Sequence, residues 1–177
     1  MAADLSWMRE RYEQLRSQGL DWNPPTLQSA SEPRCIIDGQ EMVMLSANNY
    51  LNLATHPKVV EASIEATRKY GAGSGSVRAI AGTLDLHLEA ERVCAQFKQV
   101  EAVLIYSSGY TANVGLIPTL VRGSEDIIIS DELNHGSIID GVRLTKASRA
   151  VYQHNDMSAL EQVLKEHSGS ERKLIIT

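Results

Sequence analysis

Apolar residues recur every three to four positions at Leu5, Met8, Tyr12 and Leu15, with charged residues between them. That spacing predicts an amphipathic helix within residues 1–20 that ends near Gly19. A helix of this length is marginal in water, so it needs a docking surface. Pro24, Pro25, Ser29, Ser31 and Pro33 make 21–34 an extended connector. Two short apolar runs, 35–37 and 42–45, flank Asp38 and Gly39 and predict a hairpin with that pair in the turn. Over Pro57–Tyr70 the helical period returns, with Pro57 at the first position and Val60, Ile64 and Thr67 on one side. Glycines 71, 73 and 75 interrupt it. A further helix is expected over 84–98, with Thr83 as N-cap and Ala90, Val93, Cys94 and Phe97 as its buried face.

Beyond residue 100 the pattern changes. Short, almost wholly apolar runs at 102–106, 126–130, 150–152 and 173–177 read as strands. Helical stretches separate them at 110–121, 136–146 and 157–167, the last capped by Asn155 and Asp156. Strands apolar on both faces and alternating with helices predict an α/β fold, a parallel-type sheet with helices on both faces. The chain stops on such a strand, without the crossover helix that would follow, so it is expected to be the first part of a longer α/β protein.

Composition narrows the class. The 177 residues contain 43% hydrophobic and 22% charged positions, ordinary for a globular chain and about one domain in size. With two Trp, six Tyr and one Phe, the core must rest on Ile, Val, Leu and Ala. No apolar run approaches the ~20 residues of a membrane span, and no signal-peptide pattern opens the chain. A net charge of −5 argues against non-specific nucleic-acid binding. Cys35 and Cys94 have no metal-ligand spacing and read as two buried free thiols of a cytoplasmic protein. No metal site is expected.

In parallel sheets ligands sit beyond the carboxyl ends of the strands. Ser107, Ser108, Gly109, Tyr110 and Thr111 fall there, between a strand and a helix. Free N–H groups at a helix start receive a phosphate well, and Gly109 lets the main chain approach it. The same residues also read as an ordinary capped helix. The stretch 130–137 reaches the same rim and carries Asn134 and His135. That imidazole could cap a helix, stack on an aromatic ligand or move a proton. The glycine run 71–76 follows a helix rather than a strand, so it lacks the dinucleotide-binding context and reads as a connector. Arg78 after it is a possible anion contact, and Asn48 and Asn49 are turn formers.

Together these segments resemble one family. Ser46-Ala47-Asn48-Asn49-Tyr50-Leu51 with Thr55-His56-Pro57 come first, then Gly75-Ser76-Val77-Arg78 with Gly82-Thr83. Tyr106-Ser107-Ser108-Gly109-Tyr110-Thr111-Ala112-Asn113 follow, then Ser130-Asp131 with Asn134-His135-Gly136-Ser137-Ile138-Ile139-Asp140-Gly141. They stand in the order found in α-oxoamine synthases, pyridoxal-phosphate (PLP) enzymes of the fold-type-I aminotransferase superfamily. The likeness runs from about residue 45 to 177, and 140–144 leans toward the glycine C-acetyltransferase branch over the 8-amino-7-oxononanoate synthase branch. It implies an N-terminal helix, connector and hairpin over 1–45, and over 46–177 the N-terminal portion of a PLP-binding large domain.

The resemblance also implies roles. Ser108, Gly109 and Tyr110 would hold the PLP phosphate, and His135 would stack on the pyridine ring and assist proton transfer. Asn48 would contact the amino-acid substrate near its carboxylate, while Ser76 and Arg78 would line the cleft near a dimer interface. The implied reaction joins an amino acid such as glycine or alanine to an acyl-CoA, giving an α-amino ketone in a homodimer. Asn52 departs from the family's usual glycine, in a turn near the substrate. The family's Schiff-base lysine, pyridinium-pairing aspartate and carboxylate-binding arginine are expected beyond residue 177, and none of the six lysines present sits in that lysine motif. The chain alone is therefore expected to complete no catalytic cycle. A PLP-fold domain that binds without turnover is the alternative, and a dehydrogenase-like nucleotide domain fails for want of a glycine-rich turn after the first parallel strand.

Overall fold

A computed structural model describes residues 4–177, in two compact units that divide between Val77 and Arg78. In the first, α1 (Ser6–Ser17) follows the predicted period and stops where Gly19 takes a positive φ and its N–H bonds Arg16 O. Residues 1–3 of the expected helical stretch lie outside those described. β1 (Arg34–Ile37) and β2 (Gln40–Val43) pair antiparallel, Ile37 opposite Gln40. Asp38 and Gly39 both have positive φ, the demand of a two-residue turn matched to strand twist. That tight turn starts β2 at residue 40, two residues before the apolar run. α2 (Pro57–Tyr70) begins with Pro57 and is capped by His56, whose Nδ1 accepts the Lys58 N–H.

The second unit opens with a π-helical turn, Arg78–Gly82, then α3 (Asp85–Lys98), α4 (Gly109–Leu120) and β3 (Ile127–Asp131). α5 (Gly136–Arg143), β4 (Ser148–Tyr152), α6 (Met157–Glu166) and β5 (Lys173–Ile176) complete it. The three strands pair in parallel in the order β4-β3-β5. β3 is central, and Ile127, Ile128 and Ile129 are fully buried. Ile128 packs with Ile117 and Val121 at the end of α4 and Val142 of α5, while Ile127 and Ile129 meet Leu160, Val163 and Leu164 of α6. Helices thus cover both faces, which is why a run of three isoleucines suits this strand.

α4 and α5 touch where α5 has no side chain. A Cβ built on Gly141 would stand 2.8 Å from Asn113 O and 2.9 Å from Ile117 Cδ1. Gly141→Ala is therefore expected to lower unfolding free energy by about 1–3 kcal/mol, read as a fall in the urea midpoint. An unchanged midpoint would remove this contact from the account.

Several expectations need correction. Among the described residues, 102–106 join no ladder. A strand exists only through a partner's N–H and C=O groups, and here side chains answer instead: Ile105 N–H donates to Glu91 Oε1, and Ile105 O accepts from Arg78 Nη1. The apolar stripe of α3 exists, but Val93, Cys94 and Phe97 are exposed among the described residues; periodicity identifies a face without saying what covers it. Cys94 is accordingly an exposed thiol, and Cys35 alone is buried. Thr83 does not cap α3. Its hydroxyl donates to Arg78 O to close the π-helical turn, and His87 Nδ1 accepts the Leu84 N–H at the helix start. α5 ends three residues early because Thr145 turns its N–H and hydroxyl back onto Val142 O.

Candidate functional site

The first turn of α4 is built to be open. Ser108 Oγ accepts the Thr111 N–H at 3.1 Å, and the Ser108 N–H donates to Thr111 Oγ1 at 3.1 Å. This reciprocal cap uses the Ser108 hydroxyl and starts the helix at Gly109. Among the described residues no acceptor meets the N–H of Gly109 or Tyr110, so both remain at the positive end of the helix. A Cβ on Gly109 would meet nothing within 4 Å, so the approach is clear. The Tyr110 side chain turns away onto α5, its hydroxyl donating to Asp140 Oδ2 at 3.2 Å. The charge of Asp140 raises the phenol above its ordinary range.

Residue His135 lies at the carboxyl end of the sheet, in the loop after β3. Asp131 holds the loop on one side: its carboxylate accepts from Leu133 N–H at 2.8 Å, His154 Nδ1 at 3.0 Å and Asn155 N–H at 3.2 Å. These donors, the Leu133 N–H foremost, keep its carboxyl below the ordinary range although its side chain is almost buried. On the other side Asn134 Nδ2 donates to Ile176 O at 2.8 Å and Ser130 Oγ at 2.9 Å. The loop is thus tied to the ends of both neighbouring strands. His135 caps α5, its Nδ1 accepting the Ser137 N–H at 3.1 Å and standing 2.7 Å from Ser137 Oγ. Ser137 Oγ in turn accepts from Asn113 Nδ2 at 2.9 Å. Asn113 follows Gly109 by four residues, about 6 Å of helix rise, so the open turn and the imidazole share one end of the α4–α5 pair.

Arg78 is committed elsewhere in the same unit. It grips Glu91 with two bonds, Nη1 to Oε1 at 2.5 Å and Nη2 to Oε2 at 3.2 Å. That grip, aided by the Ile105 N–H, holds the Glu91 carboxyl down at about 2. The carboxyl titrates lower in the folded chain than in the unfolded one. The pair's contribution is therefore complete above the ordinary carboxylate range and is lost as pH falls toward about 2. The wild-type advantage over Glu91→Gln in urea midpoint is expected to be full at about pH 6 and to shrink toward zero near about pH 2. A gap that ignores pH would contradict the pairing.

Asn48 and Ser76 belong to the first unit, where both are exposed. There Asn49 is the structural asparagine, donating to Ser31 O at 2.7 Å and accepting the Ala54 N–H at 3.2 Å. Asn52 has a positive φ, the backbone form that explains a glycine preference at this turn. Asn113, Asp131 and Ser137 fall within the motifs quoted above, but the sequence assigns no role to them or to His154. Their partners lie 23 or 24 positions away, and no local pattern reports such pairings. Among the described residues no cluster of His, Cys, Asp and Glu could hold a metal ion, and no helix is long and apolar enough to cross a membrane.

A family model for aminotransferase class I and II matches residues 40–177. An 8-amino-7-oxononanoate synthase of Thermoanaerobacter pseudethanolicus is 51% identical over 175 residues, 98% of this chain and 44% of that protein. One of Symbiobacterium thermophilum is 53% identical over 169 residues, 95% of this chain and 43% of that protein. The chain therefore spans less than half the length of these relatives. Among solved structures, a serine palmitoyltransferase from S. paucimobilis with bound PLP-myriocin superposes with a TM-score of 0.84 at 27% identity, covering 98% of this chain and 45% of that one. An 8-amino-7-oxononanoate synthase from Francisella tularensis superposes with a TM-score of 0.57 at 30% identity, over 67% of this chain and 32% of that one. The chain belongs to the aminotransferase class I and II family and, within it, to the α-oxoamine synthases.

Proposed function

We propose that the chain is the N-terminal part of a PLP-dependent acyl-CoA:amino-acid C-acyltransferase, with residues 46–177 forming part of its PLP-binding large domain. The observation that carries this reading is the first turn of α4, where the Gly109 and Tyr110 N–H groups stand free with open space at the glycine, on a helix that Asn113 ties through Ser137 to the His135 imidazole. A phosphate ester is the anion such a turn accepts. The residues fit PLP: the Gly109 and Tyr110 N–H groups would bind its phosphate, Ser108 holds the turn open, and His135 would lie on the pyridine ring. When bound, PLP supplies an electron sink for the pair left at the amino acid's Cα. His135 would orient that ring and move the proton at the reacting carbon, while the loop ties from Asp131 and Asn134 keep the imidazole in place. By the resemblance Asn48 would contact the substrate near its carboxylate and Ser76 and Arg78 would line the cleft of a cytoplasmic homodimer, Arg78 with its guanidinium already bound to Glu91.

The names of the relatives sharpen the substrate. An 8-amino-7-oxononanoate chain, cut between its ketone and its amino carbon, gives a seven-carbon dicarboxylic acyl group and a two-carbon aminoethyl unit. The latter is alanine without its carboxylate. We assign alanine and the seven-carbon acyl-CoA as substrates, which sets aside the lean toward glycine acetyl transfer. The test is thiol release from that acyl-CoA by the enzyme that carries this chain, loaded with PLP. Release that requires alanine supports the assignment, and release with glycine and acetyl-CoA alone overturns it. Bound PLP with no thiol release from either pair would favour a binding domain without turnover.

A further inference from the structure

We propose that Asn113 is a positioning residue that turns the Ser137 hydroxyl proton onto His135 Nδ1, where it joins the Ser137 N–H in keeping the ring proton on Nε2. The donors around one buried hydroxyl decide the matter. Ser137 is almost fully buried, and its Oγ has two polar side-chain neighbours, Asn113 Nδ2 at 2.9 Å and His135 Nδ1 at 2.7 Å. An amide nitrogen only donates, so the Oγ spends a lone pair on Asn113. Its second neighbour, His135 Nδ1, already accepts the Ser137 N–H and so has no proton to give, and the hydroxyl proton goes to it. The Ser137 N–H points at that same nitrogen from 3.1 Å. With two donors aimed at it, Nδ1 carries no proton, and in the neutral ring the proton belongs to Nε2. Asn113 lies on the helix whose first turn offers the free N–H groups, so the same element that presents the anion site also sets the direction of the hydroxyl that faces the imidazole. At metal-bound histidines a partner that sets tautomer and ring angle is worth about 10- to 100-fold, and the same size of effect is expected here. The consequence for turnover rests on the reading of His135 as the residue beside PLP, whereas the tautomer does not.

Asn113→Asp and Asn113→Ala separate this role from simple packing. A carboxylate takes the Ser137 hydroxyl proton for itself and turns an Oγ lone pair toward Nδ1, making room for a proton there. Alanine removes the amide but leaves Ser137 free to keep donating to Nδ1. The full chain, with 15N-labelled histidine and the His135 signals identified by their loss in His135→Gln, reads the tautomer directly without cofactor. Wild type and Asn113→Ala are expected to show a proton on Nε2 and a bare Nδ1, while Asn113→Asp shifts population toward Nδ1–H. In the PLP-loaded enzyme Asn113→Asp should lower kcat by about 10- to 100-fold, with KM and PLP content within about twofold of wild type and Asn113→Ala less affected. Nδ1–H in the wild type, equal spectra for Asn113→Asp and wild type, or an alanine variant shifted as far as the aspartate would each overturn the proposal; the first needs no variant to fold. PLP found elsewhere, with the predicted tautomers intact, would instead count against the cofactor site.

Discussion

Gly109→Asp is expected to strip PLP from the enzyme while leaving the protein folded. The new side chain has space, since nothing stands within 4 Å of where its Cβ would be. Gly109 is outside the positive-φ glycines, so the backbone accepts an aspartate. An acidic residue in the first turn even favours the helix, by about 0.3–1 kcal/mol. The same carboxylate sits where the phosphate must come. At about 4 Å and an effective dielectric of ~20, each pair of like charges costs about 4 kcal/mol, and every ~1.4 kcal/mol is tenfold in affinity. A loss of at least ~100-fold in PLP affinity follows, with an apo melting temperature equal to or above wild type. Gly109→Ala keeps the N–H and adds no charge, so it should retain the cofactor. Equilibrium titration of PLP with a parallel thermal melt checks both variants, and an aspartate variant that binds like wild type would refute the site.

The second large effect falls on His135, and it divides one side chain's two duties. Its Nδ1 caps α5 through the Ser137 N–H, while its ring faces the proposed cofactor. Asparagine is as good an N-cap as any residue, whereas alanine loses about 0.5–2 kcal/mol. His135→Asn should therefore keep stability within about 0.5 kcal/mol of wild type, and His135→Ala should not. Both lack the ring and its proton, so both are expected to lose turnover by about 100-fold or more while holding PLP through the α4 amides. Chemical denaturation and single-turnover thiol release read the two duties separately. An asparagine variant with wild-type turnover would reduce His135 to a cap.

What was legible in the sequence was local or repetitive. The Asp38-Gly39 turn, the Pro57 helix start and the buried Ile127–Ile129 run each express a backbone demand within a few residues, and the structure has them. The start of α4 was legible for the same reason, because Ser108 and Thr111 cap it three residues apart. What was not legible depends on distant partners. Residues 102–106 have a strand's composition, yet composition cannot say whether a ladder is there to join. Arg78 reads as a free cation until Glu91, one helix later, is seen to hold it. Asn113 and Ser137 sit on different helices whose approach depends on the missing side chain of Gly141, a contact that no periodicity encodes.

The most direct test is the electron density of PLP in crystals of the enzyme that carries this chain. Phosphate oxygens are expected about 3 Å from the Gly109 and Tyr110 nitrogens, with the pyridine ring against the His135 imidazole. A phosphate seated on other donors, with those two N–H groups turned to solvent, would contradict it.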